Sequence, residues 1–316
     1  MQATSVLLQR TGLRGLRAFV FLNGCNLIVN SKRLLLDGAT GTELNRRGVV
    51  TGLPLWSANA LTTNAGLKVL LQIHLDYLNA GADIITTNTF RTNRRVLAGK
   101  GFSADELTSR AVATARLAIA EFGKPSLVAG SLSSLEDCYR PDLVPPDDEC
   151  IDEHSERIQQ LVEGGVDLLL IETMNSIREA VMAAKIATAT GLPTWVTFVC
   201  DEKGRILSGE SLARAAEILM PLGVEALGVN CMPAHAISQP LTELRAVCGE
   251  TFPLMAYGNI GYVDDEKGWI NTDSTDPEGY LEHAQSWPAQ IIGACCGSTP
   301  EHIRILKQAW NNSPPL

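Results

Sequence analysis

Residues 79–87 read NAGADIITT: a helix-like segment stops at Gly81, and an apolar, strand-like run follows at once. Residues 163–171 read EGGVDLLLI and repeat the same junction. Glycine just past a helix is a common stop signal. Short apolar runs without alternation are typical of parallel strands that are covered on both faces. The two stretches therefore predict repeated units in which a helix leads into a buried strand.

This alternation extends through most of the chain. Helix patterns separate eight strand candidates, which are Arg33–Leu36, Asp83–Thr87, Ser126–Gly130, Asp167–Ile171, Thr194–Val199, Ala226–Val229, Leu254–Tyr257 and Gln290–Gly293. Eight such units with no linker favour a single α/β domain, a (β/α)8 TIM barrel. A doubly wound sheet is the alternative, but it would carry a Gly-rich fingerprint that DGATGT at residues 37–42 lacks. We expect the barrel at residues 33–316 and a short N-terminal extension at residues 1–32.

Composition and charge exclude several classes of function. The net charge of -9 gives no support to nucleic-acid binding, which needs a basic surface. No apolar run is long enough to span a bilayer, so no membrane partner is expected. Eight cysteines in a chain of 316 residues do not look like a disulfide framework. We therefore expect a reducing compartment and a cytoplasmic location.

Polar and thiol side chains stand at the predicted carboxyl ends of the strands, where TIM barrels carry their catalytic groups. The residues at these positions are Asp37, Asn88, Ser131, Glu172, Cys200, Cys231, Asn259 and the pair Cys295 and Cys296. No lysine or histidine ends a strand, which disfavours a Schiff-base aldolase and a histidine-ligated metal centre. The chemistry is expected to rest on thiolate, carboxylate and amide groups.

Three of these thiols suggest a metal site. Cys231, Cys295 and Cys296 would form a soft sulfur set that selects zinc among the common cations. Three protein ligands with an open fourth position are typical of catalytic zinc. Such a site suits a substrate thiol, whose pKa falls on coordination, and therefore favours alkyl transfer to sulfur. Asp37 and Glu172 could hold the ammonium group of an amino-acid substrate. Backbone N–H groups of residues 38–41 could hold its carboxylate.

The same residues resemble the homocysteine S-methyltransferase family. The resemblance covers about residues 34–303 and rests on LLDGATGTEL (35–44), LWSA (55–58), TNTF (87–90), ET (172–173), VNC (229–231) and GACCG (293–297). It implies a barrel with zinc bound by the three cysteines. It also implies homocysteine held through its sulfur, with Asp37 and Glu172 near its amino group.

The activity implied by the resemblance is methyl transfer of the EC 2.1.1 class, in methionine biosynthesis. The expected donor is a sulfonium compound, S-methylmethionine or S-adenosylmethionine, and homocysteine would become methionine. Methylcobalamin supplied by a partner protein stays open as an alternative donor. Trp56 could contact the donor cation. The predicted substrate-binding residues are Asp37, Gly38, Asn88, Glu172 and Asn259.

Two alternatives stay open. The first is a phosphate-binding TIM-barrel lyase or isomerase, with residues 258–261 and 293–297 as its phosphate loops. The second is a non-enzymatic barrel that binds zinc or responds to redox conditions through its thiols. The first needs no stoichiometric zinc, and the second does not explain the two carboxylates at Asp37 and Glu172.

Overall fold

The computed structural model describes residues 33–264 and 268–311, so the predicted extension at residues 1–32 lies outside the described residues. Eight parallel strands form one sheet: β1 (Leu34–Leu35), β2 (Ile84–Thr86), β3 (Leu127–Leu132), β4 (Leu168–Met174), β5 (Thr194–Phe198), β6 (Ala226–Pro233), β7 (Leu254–Asn259) and β10 (Ile291–Ala294). Their order in the sheet is β1-β10-β7-β6-β5-β4-β3-β2. Each overlaps one of the predicted strands.

The two edges of this sheet meet. Leu36 and Ile84 form a parallel bridge between the ends of β1 and β2, and the Asp37 N–H donates to the Ile84 carbonyl over 3.0 Å. Edge strands of an open sheet leave their backbone groups unpaired, whereas closure pairs them. The predicted (β/α)8 barrel is therefore confirmed.

Helices surround the strands: α1 (Gly41–Arg46), α2 (Asn64–Ala80), α3 (Arg94–Leu97), α4 (Ala104–Phe122), α5 (Asp147–Gly164), α6 (Ile177–Ala189), α7 (Leu212–Leu219), α8 (Ser238–Cys248), α9 (Pro277–Gln285) and α10 (Pro300–Asn311). The side chains of Thr63 and Ser103 cap the starts of α2 and α4. Gly81 and Gly123 end these helices with positive φ, a conformation that glycine adopts without steric cost. No helix in the described part of the chain is long and apolar enough to cross a membrane.

Side chains of the strands divide between the barrel interior and the layer under the helices. In and just after β1, Leu34 and Leu36 belong to the inner apolar cluster, whereas Leu35 packs into the outer one. Trp195 of β5 is fully buried in the inner cluster. Both faces of the strands are therefore apolar, which explains the unbroken apolar runs of the sequence.

The segment between β7 and β10 was predicted only in part. A two-stranded antiparallel hairpin follows β7, formed by β8 (Gly261–Asp264) and β9 (Gly268–Asn271). Helix α9 then leads into β10, and the sequence analysis did not predict it. Its start at Asp276-Pro277 carries a helix signal, since proline is favoured in the first turn. The barrel's predicted eighth unit is therefore longer than expected.

Candidate functional site

A cavity of about 420 Å³ opens at the carboxyl ends of the barrel strands. Its walls include five of the predicted site residues in the metal and carboxylate sets: Asp37, Glu172, Cys231, Cys295 and Cys296. The wall area is mainly apolar, with a few convergent polar groups. This combination is typical of a small-molecule binding site.

The three predicted metal-ligating thiols meet in this cavity. Their sulfur atoms all lie within 4.8 Å of one another, and the Sγ atoms of Cys231 and Cys295 are 3.1 Å apart. None of the cysteines in the described part of the chain forms a disulfide. With Zn–S bonds of about 2.3 Å, tetrahedral geometry separates two sulfur atoms by about 3.8 Å. The sulfur set therefore fits a zinc ion after small side-chain movements.

Contacts among the thiols also change their pKa values. Hydrogen bonds from Cys231 and Cys295 lower the pKa of Cys296 well below its usual range. The same contacts, with Cys231 and Cys296, raise the pKa of Cys295. Of these two thiols, Cys296 is therefore the one that ionises more readily. A divalent cation would stabilise further ionisation, because metal binding to thiols releases protons.

Cys231 reaches the cavity because β6 is distorted there. Its φ of 56° lies in the left-handed region, which non-glycine residues rarely adopt. The pairing of β6 with β7 shifts register between Asn230 and Pro233. Thr173 of β4 has the same kind of backbone, with φ of 58°, beside a register shift between Ile171 and Met174. Both bulges lie immediately beside a side chain that lines the cavity.

The buried side chain of Asn230 joins the two bulges. Its Nδ2 donates to Thr173 Oγ1 over 2.7 Å, and its Oδ1 accepts from the Thr173 N–H over 3.0 Å. Oδ1 also accepts from Thr197 Oγ1 over 2.9 Å. Strained backbone persists where surrounding contacts determine it. Asn230 therefore holds the strand ends that present Glu172 and Cys231.

Backbone hydrogen bonds fix the loop that carries the other two thiols. The N–H of Cys295 donates to the Gly258 carbonyl over 2.7 Å, and the N–H of Cys296 donates to Asn259 Oδ1 over 3.0 Å. Gly297 follows with φ of 86°, and its N–H donates to Thr42 Oγ1 over 3.0 Å. Asn259 was predicted to bind substrate. It is buried under the thiol loop instead of lining the cavity, because its amide pairs with the backbone of that loop.

Asp37 is almost fully buried at the end of β1, with 4% of its surface exposed. Its carboxylate accepts from the Thr86 N–H over 2.8 Å and from Thr86 Oγ1 over 3.0 Å. Burial raises the pKa of Asp37 to about 8; the Thr86 hydrogen bonds oppose the rise, and the charge of Glu172 adds to it. A carboxylate in this position would gain from a bound cation.

Glu172 faces the same cavity from β4. It accepts hydrogen bonds from the Ser131 hydroxyl and, over 3.0 Å, from the Tyr257 hydroxyl. Burial raises the pKa of Glu172 to about 7, although these hydrogen bonds lower it, and the nearby Cys231 raises it further. Asp37 and Glu172 therefore form a pair of poorly solvated acids that suits the ammonium group of a ligand.

Gly38 and Asn88 also line the cavity. A Cβ at Gly38 would stand 2.7 Å from the Tyr77 ring, so the chain needs glycine at this close approach. The Asn88 amide donates to the Ser57 carbonyl over 2.9 Å and orients the segment after β1. The neighbouring Ala39 N–H, one of the donors expected for a substrate carboxylate, donates to Ser298 Oγ over 3.0 Å.

Sequence reasoning placed Cys200 at the rim of the barrel and gave Cys138 no role. Cys200 is buried in the apolar layer outside the barrel strands. Cys138, in the segment after β3, lines the cavity. The adjacent Tyr139 donates its hydroxyl to the Cys231 carbonyl over 3.4 Å. No spacing in the sequence marks these two residues as part of the site.

Two aromatic side chains form part of the cavity wall. The rings of Trp56 and Phe90 meet edge to face, with centroids 5.8 Å apart, and Arg91 follows Phe90 in the same wall. Trp56 was predicted as a donor contact. Phe90 stands in the TNTF motif, but its position gave no indication that Arg91 would also reach the cavity.

Comparison with known proteins agrees with this geometry. The family model described as homocysteine S-methyltransferase matches residues 34–310. The chain is 31% identical to homocysteine S-methyltransferase 2 of Zea mays, over 89% of this chain and 91% of the relative. It is 28% identical to the selenocysteine Se-methyltransferase of Brassica oleracea var. italica, over 86% and 87%. The crystal structure of the homocysteine methyltransferase MmuM from Escherichia coli, in its metallated form, superposes with a TM-score of 0.77 at 29% identity, over 90% of this chain and 98% of MmuM.

Proposed function

We propose, because this chain belongs to the homocysteine S-methyltransferase family, that it transfers a methyl group from a sulfonium donor to the sulfur of homocysteine and yields methionine. The metal in this proposal is zinc, with Cys231, Cys295 and Cys296 as its ligands. The observation that carries the proposal is the meeting of these sulfur atoms in the cavity that Asp37 and Glu172 line.

The donor set supports zinc. Three thiolates with an open position suit zinc better than harder cations, which prefer oxygen. When bound, zinc lowers the pKa of a fourth thiol and so supplies a thiolate acceptor at neutral pH. The loop hydrogen bonds to Gly258 and Asn259 orient two of the ligands. Such supporting contacts around metal ligands commonly tune metal affinity.

The chain's own residues would bind and align the acceptor. Asp37 and Glu172 would take its ammonium group, since a bound cation offsets the cost of their burial. The donor would lie against Trp56 and Phe90, whose ring faces attract a sulfonium cation. The acceptor sulfur then displaces the donor's thioether in line: a new S–CH3 bond forms, the old one breaks, and the acceptor's proton leaves to solvent. Fixing both partners supplies much of the acceleration.

Selenocysteine is a second candidate acceptor, because two of the relatives are named as selenocysteine methyltransferases. A selenol would use the same metal position and the same pair of carboxylates. Competition between homocysteine and selenocysteine, measured as the ratio of their kcat/KM values, decides between them.

The backbone geometry argues against the phosphate-binding alternative. A phosphate loop needs free N–H groups. In the segments predicted for that role, Gly258 N–H donates to the Tyr280 hydroxyl over 2.9 Å, and Ile260 N–H donates to the Cys296 carbonyl over 3.1 Å. The N–H groups of Cys295, Cys296 and Gly297 are also engaged. The non-enzymatic alternative leaves the two cavity-lining carboxylates of Asp37 and Glu172 unexplained.

The test measures bound zinc and methyl transfer together. Cys296→Ala should lose stoichiometric zinc and transfer from S-methylmethionine or S-adenosylmethionine to homocysteine. Cys248→Ala serves as the control, because Cys248 is a free thiol at the end of α8; it should keep both. Turnover that persists in Cys296→Ala after the metal is lost would contradict the proposal, as would a wild-type protein that methylates neither thiol nor selenol.

A further inference from the structure

Arg91 contributes a cation to the cavity wall that the proposed chemistry does not use. It lies in the segment after β2, immediately beyond Phe90, and its guanidinium carbon is 6.0 Å from the Phe90 ring centroid. Its Nε is buried and has no hydrogen-bond partner. Arg91 forms no ion pair with any residue that the structure describes. A guanidinium in this situation lacks its usual anion.

Neighbouring arginines do have acidic partners, so the missing ion pair is particular to Arg91. Arg94 donates to Asp152 over 2.6 Å, and Arg95 donates to Glu153 over 2.6 Å. Acidic side chains that α5 presents to this segment are therefore already paired with Arg94 and Arg95. No described acid forms an ion pair with Arg91, and Arg91 is the member of this arginine group that lines the cavity.

Neither of two charged residues near Arg91 acts as its counterion. Asp137 lines the same cavity, but its Oδ1 accepts from the Tyr139 N–H over 2.9 Å, and it forms no ion pair with Arg91. Arg157, a second cation close enough to interact with Arg91, donates to the Ser133 carbonyl over 2.7 Å. Arg91 therefore has no ion-pair partner among the described residues, whereas Asp37 and Glu172 bring acids to the cavity from the ends of β1 and β4.

We propose that Arg91 binds the carboxylate of the methyl donor. The inference rests on the proposed function, and it names the donor class: a sulfonium that also carries a carboxylate, such as a sulfonium amino acid. Guanidinium matches carboxylate through paired N–H donors in a fixed planar geometry. The donor would lie with its cationic sulfur near Trp56 and Phe90 and its carboxylate at Arg91.

The position of Arg91 favours the donor over the acceptor. The acceptor's ammonium group belongs at Asp37 and Glu172, at the ends of β1 and β4, near the thiols. Arg91 lies in the loop after β2, against the ring of Phe90, which packs against Trp56. S-methylmethionine and S-adenosylmethionine both carry a carboxylate, so Arg91 would recognise the feature they share and would reject simple trialkylsulfonium ions.

The experiment pairs enzyme variants with altered substrates. Arg91→Met removes the charge, and Arg91→Lys keeps it without the planar geometry. Arg140→Met is the matched control, because Arg140 is an exposed arginine paired with Asp142 outside the cavity lining. Each zinc-loaded protein is assayed with S-methylmethionine and its carboxamide, and with homocysteine and its carboxamide. The ratio of kcat/KM between acid and amide isolates the carboxylate contact from any general loss of activity.

The wild type and Arg140→Met should prefer the acid form of the donor by about 10- to 100-fold, as expected for a charged hydrogen-bonded pair. Arg91→Met should lose that preference, and Arg91→Lys should keep part of it. The preference for the acid form of homocysteine should stay the same in all variants. The proposal is overturned if Arg91→Met still prefers the acid form of the donor. It is also overturned if Arg91→Met loses the preference for the acid form of homocysteine instead.

Calorimetric binding of S-methylmethionine separates this proposal from the proposed function. Absence of methyl transfer in the wild type would refute the function alone. In that case binding still decides the role of Arg91: affinity that drops about 10- to 100-fold in Arg91→Met upholds it. Binding that is absent in the wild type, or equal in the variant, refutes it.

Discussion

Replacement of Asp37 by asparagine should make the protein more stable while weakening its site. Asp37 is buried, and burial raises the pKa of its carboxyl to about 8 from an ordinary 3.8. The folded protein therefore binds a proton more tightly there than the unfolded chain does. Stability is then lost as pH rises from about 4 to about 8. Asparagine has the same shape, carries no charge and can keep the contacts to Thr86 through its own carbonyl and amide.

The pKa values fix the size of the effect. At pH 7 the unfolded carboxyl is about three pH units above its pKa, while the folded one is still mostly protonated. At about 1.4 kcal/mol per unit, the cost of burying Asp37 reaches about 4 kcal/mol at pH 7 and falls to about 2 kcal/mol at pH 5. Asp37→Asn should recover up to that amount, with the gain increasing with pH.

Urea unfolding of zinc-loaded wild type and Asp37→Asn at pH 5, 7 and 8 measures this difference. Asp105→Asn is the control, because Asp105 is an exposed acid in the first turn of α4. It should gain no stability, because it removes a negative charge that the helix dipole favours. The reasoning is refuted if Asp37→Asn is no more stable than wild type at pH 8, or if its gain does not grow between pH 5 and pH 8.

Three further predictions test other parts of the site and fold. Glu172→Gln should weaken inhibition by homoserine, which has the ammonium group without the thiol, by about 10- to 100-fold. In the wild type this inhibition should strengthen as pH rises through 7, where Glu172 ionises; an unchanged pH profile in the variant would contradict the role. Asn230→Ala removes both hydrogen bonds of Asn230 to Thr173 and leaves the Thr173 N–H only its 3.4 Å contact with Thr197 Oγ1. It should lower the free energy of unfolding by about 3 kcal/mol and zinc affinity by about 10- to 100-fold, measured by urea unfolding and competition with a chelator; full zinc affinity would show that the bulges hold without it. His74 is buried, its ring nitrogens have no partner, and burial lowers its pKa to about 4, so stability present above pH 6.5 should fall by about 3 kcal/mol as pH drops to 4. His74→Leu should reduce that fall, and equal pH dependence in both proteins would refute it.

The barrel could be predicted because each strand and its preceding helix carry local signals. The junction at Gly81 and the apolar run after it need no information from elsewhere in the chain. Closure followed from counting eight such units. The hairpin of β8 and β9 and the helix α9 were missed because they are additions to one unit. Nothing in the repeating pattern requires them.

The meeting of the thiols could be predicted for a similar reason, since the carboxyl ends of parallel strands share one face of a barrel. The wall formed by Cys138 and Tyr139 could not. The path of the segment after β3 depends on distant partners: Arg157 donates to the Ser133 carbonyl, and Glu179 accepts from the Leu135 N–H over 2.8 Å. Those two residues come from α5 and α6, and no local pattern links them to the segment.

Asn259 shows a second limit of prediction from the sequence. A side chain at a strand end can point into the cavity or under the neighbouring loop, and the sequence does not distinguish the two. The left-handed backbone at Cys231 was equally hidden, because non-glycine residues give no local signal for it.

Strand β10 joins β1 and β7 across the barrel, and the loop after it delivers two of the three sulfur atoms. A nascent chain that has emerged from the ribosome only as far as β7 therefore contains one of these three sulfur atoms, that of Cys231, and its sheet is not yet closed. If all three thiols bind one metal ion, as proposed, the ion can be held only after β10 has joined the sheet. It would then link the loop after β10 to β6, on the far side of β7.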